Sequence, residues 1–353
     1  MNLRNMRFSE ATNEALSIGL RKDKKVLVYG LGVTDPKNVF GTTSNLSSEF
    51  GFDRVFDIPC SENAITGVAV GAALRGYKSV LTHQRLDFSL LSMDQIVNSA
   101  AKWHYMFGSQ MSVPITIRMI LGRGWGQGPT HSQNLQAWFA HIPGLKVVCP
   151  SNASDAKGLL LASIFDPNPV IFLEHRWLHN STSKVEEGYY ELPIGKSKLV
   201  CPGKDITIVT NSYMVSECID AVDYLKNEKS ISCELIDIYS VSPLDIASIK
   251  KSVKKTKKLL CIDTGCGSFS VSSEIIASMT QHFPASEEIR MQKVGLPDVP
   301  EPTSYALTKD FYPNADSVVK NVCSMFGLPG FEGALLRKQD HHDVPGNWFH
   351  GPF

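Results

Sequence analysis

Five short runs in the first half of the chain are apolar on both faces, and this limits the fold more than any other feature. They are VLVYGL from Val26, SVLTH from Ser79, PITIRMI from Pro114, LKVVCP from Leu145 and PVIFLE from Pro169. None shows the in-out alternation of a half-exposed strand. A strand with two apolar faces must be covered on both, as in a parallel sheet flanked by helices. Helical stretches are expected between these runs, at residues 62–74, 89–105, 132–141 (starting near His131) and 153–164. Asn152 or Ser154 suits the N-cap of the last. Such alternation builds a doubly wound α/β domain.

A polar, turn-rich stretch at about residues 180–205 breaks the pattern. It then resumes with DITIVT, a helix from Met214 to Leu225, ISCELIDI, a basic helix near 246–254, KLLCIDT, a helix at 269–283 and EIRMQKVG. The run KKSVKKTKK keeps its apolar residues at helical spacing, so it reads as a solvated helix face. The expected layout is an α/β domain at 1–185, a linker at 186–204, a second, smaller α/β domain at 205–327 and a tail at 328–353. The tail is rich in Gly, Pro, His and aromatics, and either docks on a partner or is disordered.

Two domains suit 353 residues, and 43% hydrophobic content supplies two cores. Lys plus Arg and Asp plus Glu are 35 each, so the chain is formally neutral. Neutrality argues against a nucleic-acid partner and suits surface buried in an oligomer. The eight cysteines contain no C-x-x-C pair, which disfavours a zinc site or a disulfide framework and favours buried thiols in a reducing cytoplasm. No leader pattern opens the chain and no stretch suits a membrane span, so a cytoplasmic protein with no membrane partner is expected.

Three segments carry side chains suited to chemistry. In DIPCSENAITGVAVGAALRG, Glu62 opens an Ala- and Gly-rich helix. Two readings are open: a first-turn carboxylate favoured by the helix dipole, or a carboxyl that shares its proton with a cofactor ring nitrogen. In THQRLDF, His83, Gln84, Arg85 and Asp87 give a buried strand an unusually polar end, and strand ends are where α/β ligands bind. Phe88 follows, as core aromatic or stacking platform. GRGWGQG fits neither standard phosphate-loop pattern and leads to His131, a structural or substrate-facing histidine. Neither G-x-S-x-G nor H-E-x-x-H occurs, and no particular histidine is implied as a base for Cys60.

Taken in order, SENAITGVAVGAAL, DFSLLSMDQIVNSAAKWHYM, PTHSQNLQAWFAHIPGLKVVCPSNASDAKGLL and NPVIFLEH resemble a known family. It is the beta subunit of the thiamine-diphosphate-dependent decarboxylating component of 2-oxo acid dehydrogenase complexes, within the transketolase-like superfamily. The resemblance spans about residues 6–325 and implies two domains, pyrimidine-binding and transketolase C-terminal-like. It implies a split site. An alpha-type subunit carries a GDG motif, magnesium and the diphosphate, and this chain has no GDG. Glu62 matches the glutamate that hydrogen-bonds the aminopyrimidine, Phe88 the aromatic packed on that ring and His131 the substrate-facing histidine, while Gln84 stands where the family often has an apolar residue near the ring. The shared proton at Glu62 activates the thiazolium carbon. Ile115, Ser163, Ile164, Asp166 and Asn168 match the neighbourhood of a potassium ion held by backbone carbonyls in some members. The implied assembly is an α2β2 heterotetramer passing its acyl group to a lipoyl-bearing acyltransferase.

The chain departs from the family in places. THQRL replaces an EFMTF-like stretch, so His83 and Arg85 are expected to face a substrate or acceptor more polar than pyruvate. Tyr239 and Val241 stand where relatives often carry an arginine. The tail also differs, which puts lipoyl transfer in doubt. An acyloin-forming carboligase subunit is therefore one alternative, and a non-catalytic scaffold another.

Overall fold

The computed structural model describes residues 2–123, 126–329, 342, 344–346 and 349. Most of the expected tail lies outside the described residues. The described residues form two compact units, one running to Gly122 and resuming at Trp138–Ile194, the other made of Arg123–Ala137 and the described residues from Gly195 on.

The first unit opens with β1 (Leu3–Arg7) and α1 (Phe8–Lys22), then β2 (Val26–Gly30), α2 (Leu46–Phe50), β3 (Val55–Asp57), α3 (Glu62–Leu74), β4 (Lys78–His83) and α4 (Leu86–Ser89). There follow α5 (Trp103–Met106), β5 (Ile115–Leu121), α6 (Gln136–Ala140) where the chain returns to this unit, β6 (Lys146–Val148), α7 (Ala153–Phe165), β7 (Val170–His175) and β8 (Thr182–Glu186). Six of these strands form a parallel sheet in the order β3-β2-β4-β5-β7-β6. Val80, Ile117 and Ile171 are fully buried at its centre, as two-sided apolar strands require. Burying each such side chain contributes roughly 1.5–3 kcal/mol. Asn152 caps α7 by accepting the N–H of Asp155 at 3.0 Å.

One expected helix is broken. Residues 89–105 form the end of α4, a 3₁₀ turn at Leu90–Ser92, a π-helical turn at Gln95–Ala100 and α5. The hydroxyls of Ser89 and Ser92 donate to carbonyls three residues back, at 2.6 and 2.8 Å. Such local bonds compete with the regular helical ladder. The stretch 132–141 is helical only over Gln136–Ala140.

The second unit contains β9 (Lys198–Cys201), β10 (Ile206–Thr210), α8 (Met214–Lys229), β11 (Cys233–Asp237), β12 (Ser240–Ser242) and α9 (Ile246–Thr256). It continues with β13 (Lys258–Cys266), α10 (Val271–His282), β14 (Arg290–Leu296), α11 (Tyr305–Thr308) and α12 (Ala315–Met325). Its sheet runs β14-β13-β10-β11-β9, parallel except for β9. The segment read as a connection thus carries strands: β8 pairs with β1, and β9 edges this sheet. On α9, Lys251, Lys254 and Lys255 are exposed while Ile249 and Val253 are buried, so the basic run is a solvated face. No helix of the described residues is long and apolar enough to cross a membrane.

Candidate active site

In the first sheet, β2 has β3 on one side and β4 on the other. The chain leaves β2 in one direction and later returns to its opposite edge. At such a switch point the loops beyond the carboxyl ends of the strands part and leave a crevice. Gly30, the last residue of β2, lies so close to β4 that a Cβ there would sit 2.3 Å from the Thr82 carbonyl oxygen.

A pocket occupies this crevice. Leu31, Ile58, Pro59 and Phe88 give it apolar walls. Cys60, Glu62, Thr82, His83 and Gln84 supply its polar groups. Two carboxyl-end loops are tied together beneath it: Asp57 Oδ1 accepts the N–H of Gly32 at 2.8 Å and that of Ile58 at 3.0 Å. Gln84 Nε2 donates to the Leu31 carbonyl at 2.8 Å.

Glu62 is the first residue of α3, where uncapped N–H groups favour a negative charge. It is half-buried; its carbonyl accepts the Thr66 hydroxyl at 2.8 Å, and its carboxylate has the Cys60 thiol 3.9 Å from Oε1. Its carboxylate is therefore available to a ligand. Phe88, on α4, is also half-buried. A flat apolar wall and a carboxylate around one small pocket suit a flat heteroaromatic ring with a polar edge.

His83 is buried, which pushes its pKa down to about 4. Arg85 does not line the pocket. Burial lowers its pKa and neighbouring Asp87 raises it. Arg176, following β7, is lowered to about 9 by burial first and by repulsion from Arg85 second, with Asp87 opposing. Gly122 leaves room for this side chain, since a Cβ there would lie 2.8 Å from Arg176 Cγ. Arg85, Arg176 and Asp87 are thus electrostatically coupled, two guanidiniums to one carboxylate.

The structure brings Glu62, His83, Gln84 and Phe88 to one pocket. His131 belongs to the second unit, where its Nδ1 is 3.0 Å from Thr130 Oγ1 and its N–H donates to the Gly128 carbonyl at 3.3 Å. Sequence reasoning missed Leu31, Ile58, Pro59, Thr82 and Arg176. Their signal was position alone, at or just past strand ends. Around Asp166 the loop satisfies itself: Oδ1 accepts the N–H of Asn168 at 2.9 Å, Oδ2 pairs with Lys146, and the Ser163 carbonyl accepts the N–H of Asp166 at 3.3 Å. Ile115 is buried at the start of β5 and Ile164 in α7. None of the eight cysteines forms a disulfide among the described residues; five are buried and Cys60 and Cys266 are exposed.

Comparison with known proteins identifies the family of both domains. Residues 4–181 match the transketolase pyrimidine-binding domain and residues 195–318 the transketolase C-terminal domain. The chain is 38% identical over 319 residues to pyruvate dehydrogenase E1 component subunit beta-2, mitochondrial, of Oryza sativa subsp. japonica, covering 89% of this chain and 85% of that one. It is 36% identical over 334 residues to the beta subunit of acetoin:2,6-dichlorophenolindophenol oxidoreductase of Bacillus subtilis (strain 168), covering 91% and 97%. Among solved structures, a split-gene transketolase in an inactive beta4 tetramer superposes with a TM-score of 0.75 at 19% identity, covering 92% of this chain and 99% of that one. The chain belongs to the transketolase-like family, among the beta subunits of 2-oxo acid dehydrogenase E1 components.

Proposed function

We propose that this chain is the pyrimidine-side half of a thiamine-diphosphate-dependent 2-oxo acid decarboxylase, completed by an alpha-type subunit. The observation that carries this reading is the shared pocket of Glu62 and Phe88 at the switch point of the first sheet. When bound, the cofactor supplies a thiazolium carbon that accepts the electrons released as carbon dioxide leaves.

This chain's residues prepare that site. Glu62 holds and returns a proton at a ring nitrogen, and its place at a helix start keeps the carboxylate oriented. Phe88 packs against the ring face. Gln84, held by the Leu31 carbonyl, fixes the pocket's polar wall. Arg85 and Arg176 favour the substrate carboxylate through their positive charge. His131 is proposed as proton donor to the substrate on the strength of its motif. Magnesium and the diphosphate are assigned to the partner. A potassium ion, if bound near Asp166, is assigned to backbone carbonyls. Exposed Val68 (61%), Leu91 (68%) and Tyr105 (89%) on the first unit offer apolar surface for the alpha-type subunit and a second beta subunit, as an α2β2 assembly needs. A cytoplasmic, reducing setting belongs to the same reading and suits eight cysteines without a disulfide among the described residues.

A second reading is an acyloin-forming carboligase subunit, which joins the acyl group to another carbonyl; a relative named for acetoin, itself an acyloin, favours it. The test is a panel of 2-oxo acids given to the chain with and without its co-expressed partner, with thiamine diphosphate and magnesium. Acylation of an added lipoyl domain supports the first reading, and an acyloin product the second. Decarboxylation that needs no partner contradicts the split site, and no turnover by a cofactor-loaded complex favours a scaffold role.

A further inference from the structure

The pocket contains a polar atom that the fold leaves unsatisfied. His83 ends β4, is 4% exposed and lines the pocket with Glu62 and Phe88. Its Nε2 is buried without a hydrogen-bond partner among the described residues. An unmatched buried nitrogen costs stability, and an apolar residue would avoid that cost on a strand whose Val80 and Leu81 are fully buried. A group from outside the chain would complete it. Burial keeps this ring neutral near pH 7, and a neutral imidazole offers one donor and one acceptor. With its proton on Nδ1, the ring presents Nε2 as the acceptor, and the matching partner is an N–H or O–H group.

We propose that His83 is a ligand-recognition residue, hydrogen-bonding an N–H or O–H group of what the pocket holds. This rests on the cofactor-pocket reading above. Two sources offer that chemistry: the amino edge of the cofactor's pyrimidine and a hydroxyl on the substrate's tail.

The experiment uses the co-expressed complex with wild-type, His83→Phe, His83→Leu and His83→Gln chains. Calorimetric titration with thiamine diphosphate and magnesium reads the first source. The ratio of kcat/KM for a hydroxylated over an unsubstituted 2-oxo acid of equal length reads the second. In the apolar variants at least one quantity falls about tenfold, the effect of one lost hydrogen bond. His83→Gln restores it to within about threefold, and the cofactor-free complex of an apolar variant melts no lower than wild type. A changed affinity assigns the contact to the cofactor, a changed ratio to the substrate. The proposal is overturned if both quantities stay within about twofold. It is also overturned if both apolar variants fail to assemble, which would make His83 a core residue. A wild-type complex that binds no thiamine diphosphate defeats the pocket reading itself, whereas normal wild-type binding with unaffected variants defeats only the role of His83.

Discussion

Gln84 Nε2 and the Leu31 carbonyl lie 2.8 Å apart, and this bond joins the end of β4 to the turn after β2 across the switch point. Gly32 makes it possible. Its φ is +78°, and a Cβ there would lie 1.9 Å from Gln84 Nε2. Gly32→Ala should therefore expel the amide and strain the turn, costing about 1–3 kcal/mol. Thermal melting should show that loss, and kcat/KM should fall with it. An unchanged melt and rate would mean that the turn does not support the pocket.

Arg118 and Glu174 form a fully buried ion pair at 2.5 Å, and the guanidinium also donates to Thr42 Oγ1 at 3.0 Å and Thr82 Oγ1 at 3.4 Å. Removing one partner leaves the other charge buried and unmatched. Arg118→Met should destabilise by about 3–5 kcal/mol in denaturant melts, and adding Glu174→Leu should recover much of this. A single variant costing under about 1 kcal/mol would show that the pair is not buried in solution.

Much of this arrangement was legible in the sequence. The five two-sided apolar runs became β2, β4, β5, β6 and β7, and residues 62–74 became α3, because one-dimensional patterns report burial well. The packing of α1 was not legible. Its buried face uses small residues, Ala11, Ala15 and Gly19, whose role emerges only against α7, where Gly19 would place a Cβ 3.2 Å from Ile164 Cδ1. The breaks after Ser89 were hidden because they depend on hydroxyls bonding backward. In the site, Glu62 and Phe88 carried motif signals and Gln84 stood out as a polar departure from the family pattern, whereas Leu31 and Pro59 matter only through strand order.

His83 and His179 titrate at about 4 and about 3, both lowered chiefly by burial. Unfolded histidine titrates near 6.5. Between these values the unfolded chain binds the extra proton, so both groups favour the fold fully above about pH 6.5 and lose that contribution as pH falls toward 4 and then 3. Each should add a slope of up to about 1.4 kcal/mol per pH unit in that window. Denaturation from pH 8 to 4 measures it. His83→Gln should flatten the profile below pH 6.5, and an unchanged slope would place the ring in solvent.

Cys60 and Cys266 are the exposed thiols among the described residues, and of the two Cys60 lines the pocket. Alkylation of the assembled complex, read by peptide mass spectrometry, should be slowed about tenfold at Cys60 by thiamine diphosphate at ten times its Kd. Cys266 should react at an unchanged rate. Equal rates at Cys60 with and without cofactor would place the cofactor elsewhere.

The most direct measurement compares wild-type and Glu62→Gln chains, each co-expressed with the alpha-type partner, in decarboxylation of a 2-oxo acid with thiamine diphosphate and magnesium. The account predicts an assembled complex whose kcat falls about 10²–10⁴-fold, the usual worth of a positioned acid–base group. Activity within about twofold of wild type would contradict the proton-sharing role of Glu62, and with it the assignment of this pocket.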